Sequence, residues 1–150
     1  MIECIKTDSD NEDFRQLVQE LDADLKIRDG EEHTFYSQFN KIDRIKHVVV
    51  AYVNNEVVGC GAIKEYSADT VEVKRMYVQP DKRGQSIASV MLKTLEAWAA
   101  ELNYTKCVLE TGKKQPEAIR LYSKNGYVVI PNYGQYENVE NSVCFEKVME

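Results

Sequence analysis

The chain has 150 residues, 43% hydrophobic and 29% charged, close to globular averages, which is the size and make-up of one domain built around one core, taken here as residues 1–150. No apolar run approaches the roughly 18 residues of a transmembrane helix, and the opening MIECIKTDSDNEDF lacks a basic stretch followed by an apolar one. The reading is therefore no membrane and a cytoplasmic location. A net charge of −6 speaks against a nucleic-acid partner, which demands clustered Lys and Arg to neutralise phosphates.

In chain order, Glu3 to Lys6 reads as a strand, and Asp8 to Asp10 offer N-caps to a helix carrying Phe14, Leu17, Val18, Leu21 and Leu25 on one face. Arg28 to Glu32 break that pattern. Thr34 to Asn40, with Phe35, Tyr36 and Phe39, reads as a second, short helix. From His47 the texture turns β-branched: HVVVAYV, a turn at Asn54-Asn55, EVVGCGAIKEY, a turn at Ser67 to Asp69, then VEVKRMYV. Three strands on tight turns predict an antiparallel meander. A basic loop follows Pro80. The next helix is expected from about Gln85 to Leu102, with Ile87, Val90, Met91, Leu95 and Trp98 in one stripe.

Lys106 to Glu110 reads as a strand. A further helix is bracketed by Pro116 at its favoured first position and by Asn125-Gly126 as a left-handed stop. Tyr127 to Ile130 and Ser142 to Met149 close the chain as strands, separated by a tyrosine-rich loop. A meander followed by strands alternating with helices predicts a mixed α/β sheet: an antiparallel N-terminal part, a parallel central pair at a helical crossover, and helices on both faces.

Cysteines 4, 60, 107 and 144 show no C-x-x-C spacing and sit among apolar neighbours, so they read as reduced structural thiols. The only histidines, His33 and His47, are remote from them, and no metal is expected.

The chemistry is concentrated in residues 71 to 98, VEVKRMYVQPDKRGQSIASVMLKTLEAW. A strand ending at Pro80, then Lys82, Arg83 and Gly84, then an immediate helix start leave unpaired N–H groups converging on one spot, suited to an anion such as a pyrophosphate. A simple turn gives the same local pattern.

The order strand, M-Y-V-x-P, R-G-x-x-x-A, helix resembles the GNAT N-acetyltransferase superfamily, whose loop for coenzyme A reads Q/R-x-x-G-x-G/A. Here it falls on Arg83, Gly84, Gln85, Ser86, Ile87 and Ala88. Ser86 replaces the central glycine, which is compatible with close approach of a ligand if its φ stays negative. Residues 109 to 130, LETGKKQPEAIRLYSKNGYVVI, are similar to the family's N-x-x-A-x-x-L-Y-x-x-x-G-F/Y segment at Gln115, Ala118, Leu121, Tyr122, Gly126 and Tyr127. Gln115 stands for the usual asparagine, with an amide able to cap the helix and to touch pantetheine.

The resemblance implies acetyl-CoA as co-substrate, bound at residues 83 to 88 and by Gln115. Backbone groups of Met76 and Val78 would hold pantetheine where the strand at 71–78 diverges from the one at 106–110. It implies Tyr122 as general acid to the leaving thiolate, and Glu72 as acceptor of the amine's proton. Read from pattern alone, Tyr122 also fits a packed core tyrosine, and Glu72 a surface charge paired with Lys74. Strict alternation would send Glu72, Lys74, Met76 and Val78 to one face and Val71, Val73, Arg75 and Tyr77 to the other. Around the acceptor cleft the resemblance places Arg28 to Phe39 and the 133–137 loop, making Arg28, Tyr36, Tyr133 and Tyr136 candidate substrate contacts, with Arg28 or Arg44 suited to a carboxylate.

The expected reaction is acetyl transfer to the primary amine of a small molecule or amino acid by direct attack in a ternary complex. The alternatives are a CoA-binding sensor or interaction module without turnover, and a protein-lysine acetyltransferase. A homodimer is left open.

Overall fold

The computed structural model describes residues 1–29 and 44–149. The short helix expected over Thr34 to Asn40, Tyr36 within it, and the side chain of Arg28 lie outside the described residues.

An Asx-type turn starts the chain's first crossover. After β1 (Ile2–Thr7), Asp8 Oδ1 accepts from the Asp10 N–H, and Asn11 Oδ1 accepts from the Phe14 N–H at 2.9 Å. The N-cap of α1 (Glu12–Asp29) is therefore Asn11, one residue beyond the expected Asp8 to Asp10. The predicted stripe is the buried one: Phe14, Leu17, Val18 and Leu21 pack on Val48, Val50, Cys60, Ala62 and Tyr77, with Leu25 partly buried beside them.

The meander is β2 (His47–Val53), β3 (Glu56–Ser67) and β4 (Thr70–Val78). Asn54 and Asn55 both take positive φ, 53° and 67°, the backbone of a two-residue hairpin turn. Then come a 3-10 turn at Pro80–Lys82, α2 (Ile87–Glu101), β5 (Lys106–Gly112), α3 (Pro116–Lys124) and β6 (Val128–Ile130). A second 3-10 turn at Gly134–Tyr136 leads into β7 (Ser142–Val148). Gly126 stops α3 with φ 90°, as its sequence bracket predicts. The sheet has the order β1-β2-β3-β4-β5-β7-β6, with β4–β5 its parallel pair and every other neighbouring pair antiparallel.

Helix α1 covers one face, while α2 and α3 cover the other, where Ile87, Met91, Leu92, Leu95 and Tyr122 meet Val49, Ile63, Val71, Val73 and Phe145. Leu92 and Ala99 are buried along α2, whereas Val90 and Trp98, expected in its stripe, are only partly covered. Helix α2 lies close to β3. A Cβ on Gly61 would fall 2.5 Å from Met76 Sδ and 3.0 Å from Leu95 Cδ1, so this position tolerates no side chain without moving Met76.

Strand β4 departs from simple alternation. Ala62 pairs with Lys74 and Cys60 with Tyr77, so Gly61 faces both Arg75 and Met76, and Arg75 takes φ 60°. This bulge shifts the parity of every later side chain. Val71 and Val73 face α2, as do Met76 and Val78; Arg75 and Tyr77 turn toward α1, reaching Asp22 and Glu20. The expected single face for Glu72, Lys74, Met76 and Val78 is thus split in two. No helix of the described residues is long and apolar enough to cross a membrane.

Candidate active site

The parallel pair β4–β5 is short. Thr70, Val71 and Glu72 pair with Lys106, Cys107 and Val108, and beyond that seam the two strands part. Gln79 N–H donates to Val58 O on β3 at 2.9 Å, so by alternation the peptide groups of Val78 and Met76 face the opening. The Val78 carbonyl is not free there, as had been expected: it accepts from Arg83 Nε at 2.9 Å.

Two cavities flank this split. The larger, about 530 Å³, runs from the opening to the start of α2. It is lined by Met76, Val78, Arg83, Gly84, Ser86, Ile87 and Ala88, and by Gln115 and Tyr122 from the α3 side. Of the proposed loop contacts, Gln85 is not part of its wall. Gly84 and Ser86 both adopt positive φ, 83° and 66°. Ser86 therefore takes a left-handed backbone that glycine adopts freely, so the condition of a negative φ is not met, at a cost of about 1–2 kcal/mol for a residue with a Cβ. The gain is geometric. Ser86 is the N-cap of α2 without capping it through its side chain, so the first-turn N–H groups from Ile87 stay available to an anion, beside Lys82 and Arg83. The Arg83 guanidinium also lies over the Tyr77 ring, 5.7 Å from its centroid, which fixes the base of the loop.

Gln115 precedes α3 at φ −120° and makes no side-chain cap, correcting one of its two expected roles. Its side chain belongs to the walls of both cavities.

The smaller cavity, about 110 Å³, opens on the α1 side of the split. Its walls include Glu72, Arg75, Glu110, Tyr136, Gln115 and Tyr122. Glu72 is only 9% exposed and closes the β4–β5 seam. Its Oε2 accepts from Tyr133 Oη at 2.5 Å and its Oε1 from Lys74 Nζ at 3.5 Å. This is the Lys74 pairing weighed from sequence, but inside the cleft. Tyr133 is not in either cavity wall. Burial first, then the Glu72 carboxylate, pushes its phenol above the ordinary tyrosine value, so it stays a hydrogen-bond donor that orients Glu72. Rings of Tyr66 and Tyr136, 5.1 and 6.0 Å away, hold Tyr133 edge-on. Tyr136 does line the cavity.

Tyr122 borders both cavities. It is 6% exposed, with Tyr127 and Phe145 at 5.8 and 6.0 Å, so it is also the packed core residue that its helical spacing suggests. Burial, with a smaller contribution from Glu110, raises its pKa and keeps it protonated. Two charged residues in the wall of the smaller cavity, Arg75 and Glu110, were not among the site candidates read from the sequence. Arg75 adjoins Lys74 in a strand that also holds Glu72, so nothing local singles it out; Glu110 follows the apolar run Cys107 to Leu109, and its Oε2 accepts from Ser142 Oγ at 2.7 Å.

The family model "Acetyltransferase (GNAT) family" matches residues 11–127. An IAA acetyltransferase of Azospirillum brasilense is 35% identical over 136 residues, 88% of each chain. A crystal structure from Klebsiella pneumoniae ascribed to an acyl-CoA N-acyltransferase superposes with TM-score 0.84 at 28% identity, over 100% of this chain and 99% of that one. A GNAT family acetyltransferase from Elizabethkingia anophelis with acetyl-CoA bound shares the fold at TM-score 0.70 and 17% identity, over 99% and 98% of the two chains.

Proposed function

This chain belongs to the GNAT acetyltransferase family, and from that membership we propose that it transfers the acetyl group of acetyl-CoA to the primary amine of a small molecule. The observation that carries the reading is the pair of adjoining cavities at the β4–β5 split, with Met76, Gln115 and Tyr122 in the walls of both. The larger suits the donor, because its far end combines left-handed backbone at Gly84 and Ser86, an uncapped helix start and the cations Lys82 and Arg83. The smaller suits an acceptor of a few heavy atoms.

Acetyl-CoA supplies an activated thioester carbonyl. Glu72, held by Tyr133 and Lys74, accepts the proton that the amine loses, directly or through water, as the C–N bond forms. Tyr122 donates a proton to the sulfur as the C–S bond breaks, and its raised pKa supports that role by keeping the phenol in its acid form. A Met76 or Val78 N–H facing the split would polarise the carbonyl. No covalent enzyme intermediate is needed. We place the enzyme in the cytoplasm, where acetyl-CoA is made and thiols stay reduced; its four cysteines are free.

The test is a panel of amines, amino acids and polyamines incubated with acetyl-CoA, with thiol release and acetylated product both measured. Product from a free amine is expected. Acetylation confined to protein lysines, or CoA binding with no turnover of any amine, would refute the assignment.

A further inference from the structure

One edge of a buried guanidinium at the acceptor cavity has no partner among the described residues. The Arg75 side chain is 2% exposed, and its Nη1 donates to Asp22 Oδ1 at 3.0 Å. Its Nε and Nη2 are closed off from solvent and donate to no group among the described residues. Those two nitrogens form the side edge of the guanidinium fork, whose parallel N–H bonds match the two oxygens of a carboxylate. Buried polar atoms are nearly always bonded, and a charged donor left unpaired is among the costlier omissions a fold makes.

The backbone is strained to put this side chain there. Unbroken alternation from Val73 would turn Arg75 toward α2; the bulge and its φ of 60° turn it instead to the α1 side, into the wall of the smaller cavity. That same wall carries Glu72 and Glu110. A guanidinium with two unpaired donors beside the carboxylates of Glu72 and Glu110, in a space of about 110 Å³ whose wall also holds Lys74, is a charge pattern that a small zwitterion complements once the Arg75 edge turns to the cavity.

Resting on the acetyltransferase reading, we propose that the acceptor is an amine that itself carries a carboxylate, and that Arg75 is its anchor. The side edge of Arg75 binds the carboxylate and leaves the amine directed toward Glu72 at the β4–β5 seam.

Matched acceptors test this: glycine, alanine, β-alanine and methionine, each against its carboxamide and its decarboxylated amine. The acids should exceed their uncharged partners in kcat/KM by about tenfold or more, the scale of one charge-assisted bidentate contact. Arg75→Gln should erase that preference while leaving the KM for acetyl-CoA unchanged. Amides used as well as acids, or a preference that survives Arg75→Gln, would overturn the anchor while leaving the acetyltransferase reading intact. Binding gives a readout independent of turnover. N-acetylalanine should raise the melting temperature of the wild-type protein in the presence of CoA, and N-acetylalaninamide should not. Equal shifts from the two overturn the proposal even if Arg75→Gln fails to fold or no amine is turned over.

Discussion

Replacing Tyr122 by Phe removes one oxygen and leaves the ring, so it separates the two readings of this residue. The ring's packing on Tyr127 and Phe145, at 5.8 and 6.0 Å, survives the change. Any loss of stability is then limited to a hydroxyl hydrogen bond, about 1 kcal/mol. If the hydroxyl is the proton donor to sulfur, kcat should fall by about 10² to 10⁴, or roughly 2.7 to 5.4 kcal/mol of barrier. Burial and Glu110 raise the phenol above its ordinary value near 10, so its acid form is complete throughout pH 6 to 9. Its ionisation therefore produces no fall in wild-type rate over that range, and the loss in the variant should be uniform across it. Stopped-flow or steady-state thiol release with the best amine, alongside calorimetric titration of CoA, measures both quantities. A Tyr122→Phe enzyme with wild-type kcat from pH 7 to 9 and unchanged CoA affinity would remove the general-acid role.

Arg83→Ala should weaken CoA binding by roughly 1 to 3 kcal/mol, because it deletes a cation at the anion site and releases the Val78 carbonyl; unchanged affinity by calorimetry would exclude Arg83 from the site. Ser86→Gly should leave thermal stability unchanged or raise it by up to about 1 kcal/mol, since relief of the left-handed strain slightly outweighs the added flexibility of the unfolded chain. A clear drop in melting temperature would refute that account. Burial pushes Cys60 up to about 12 and Cys107 and Cys144 up to about 11, from 9. These thiols favour the folded state below pH 9, and that contribution should be lost as pH rises from 9 through 11 to 12. At pH 8 a thiol reagent should react readily with Cys4 alone, and with all four after denaturation.

Local chemistry made much of this legible. Asn54-Asn55 announces a hairpin because asparagine tolerates positive φ, and Pro116 with Gly126 brackets α3 because each suits only one end of a helix. The anion loop was readable because glycine, basic residues and a helix start are consecutive. The β4 bulge was not. Arg75 takes a left-handed backbone with no glycine or asparagine to signal it, and the displaced parity appears only when the partner register on β3 is known. The positive φ of Ser86 is unsignalled for the same reason. Tyr133 reads as a cleft aromatic, yet its partner Glu72 is distant in sequence, and nothing short of the folded sheet brings the two together. Glu110 is likewise an ordinary charge until the strands part around it.

The brevity of the β4–β5 seam has a consequence for how the molecule assembles. The meander β2–β3–β4 joins neighbours through tight turns, and such short-range pairing forms early because little loop entropy is lost in closing it. Strand β5 must cross over behind α2 for a seam of three pairs, and it gains most of its partners only when β7, which follows β6, inserts between the two. A chain emerging from the ribosome thus holds its meander before it holds its cleft. Truncations ahead of Ser142 should retain strand structure yet lose acetyl-CoA binding, because β7 is the partner that holds β5 in place beside the split.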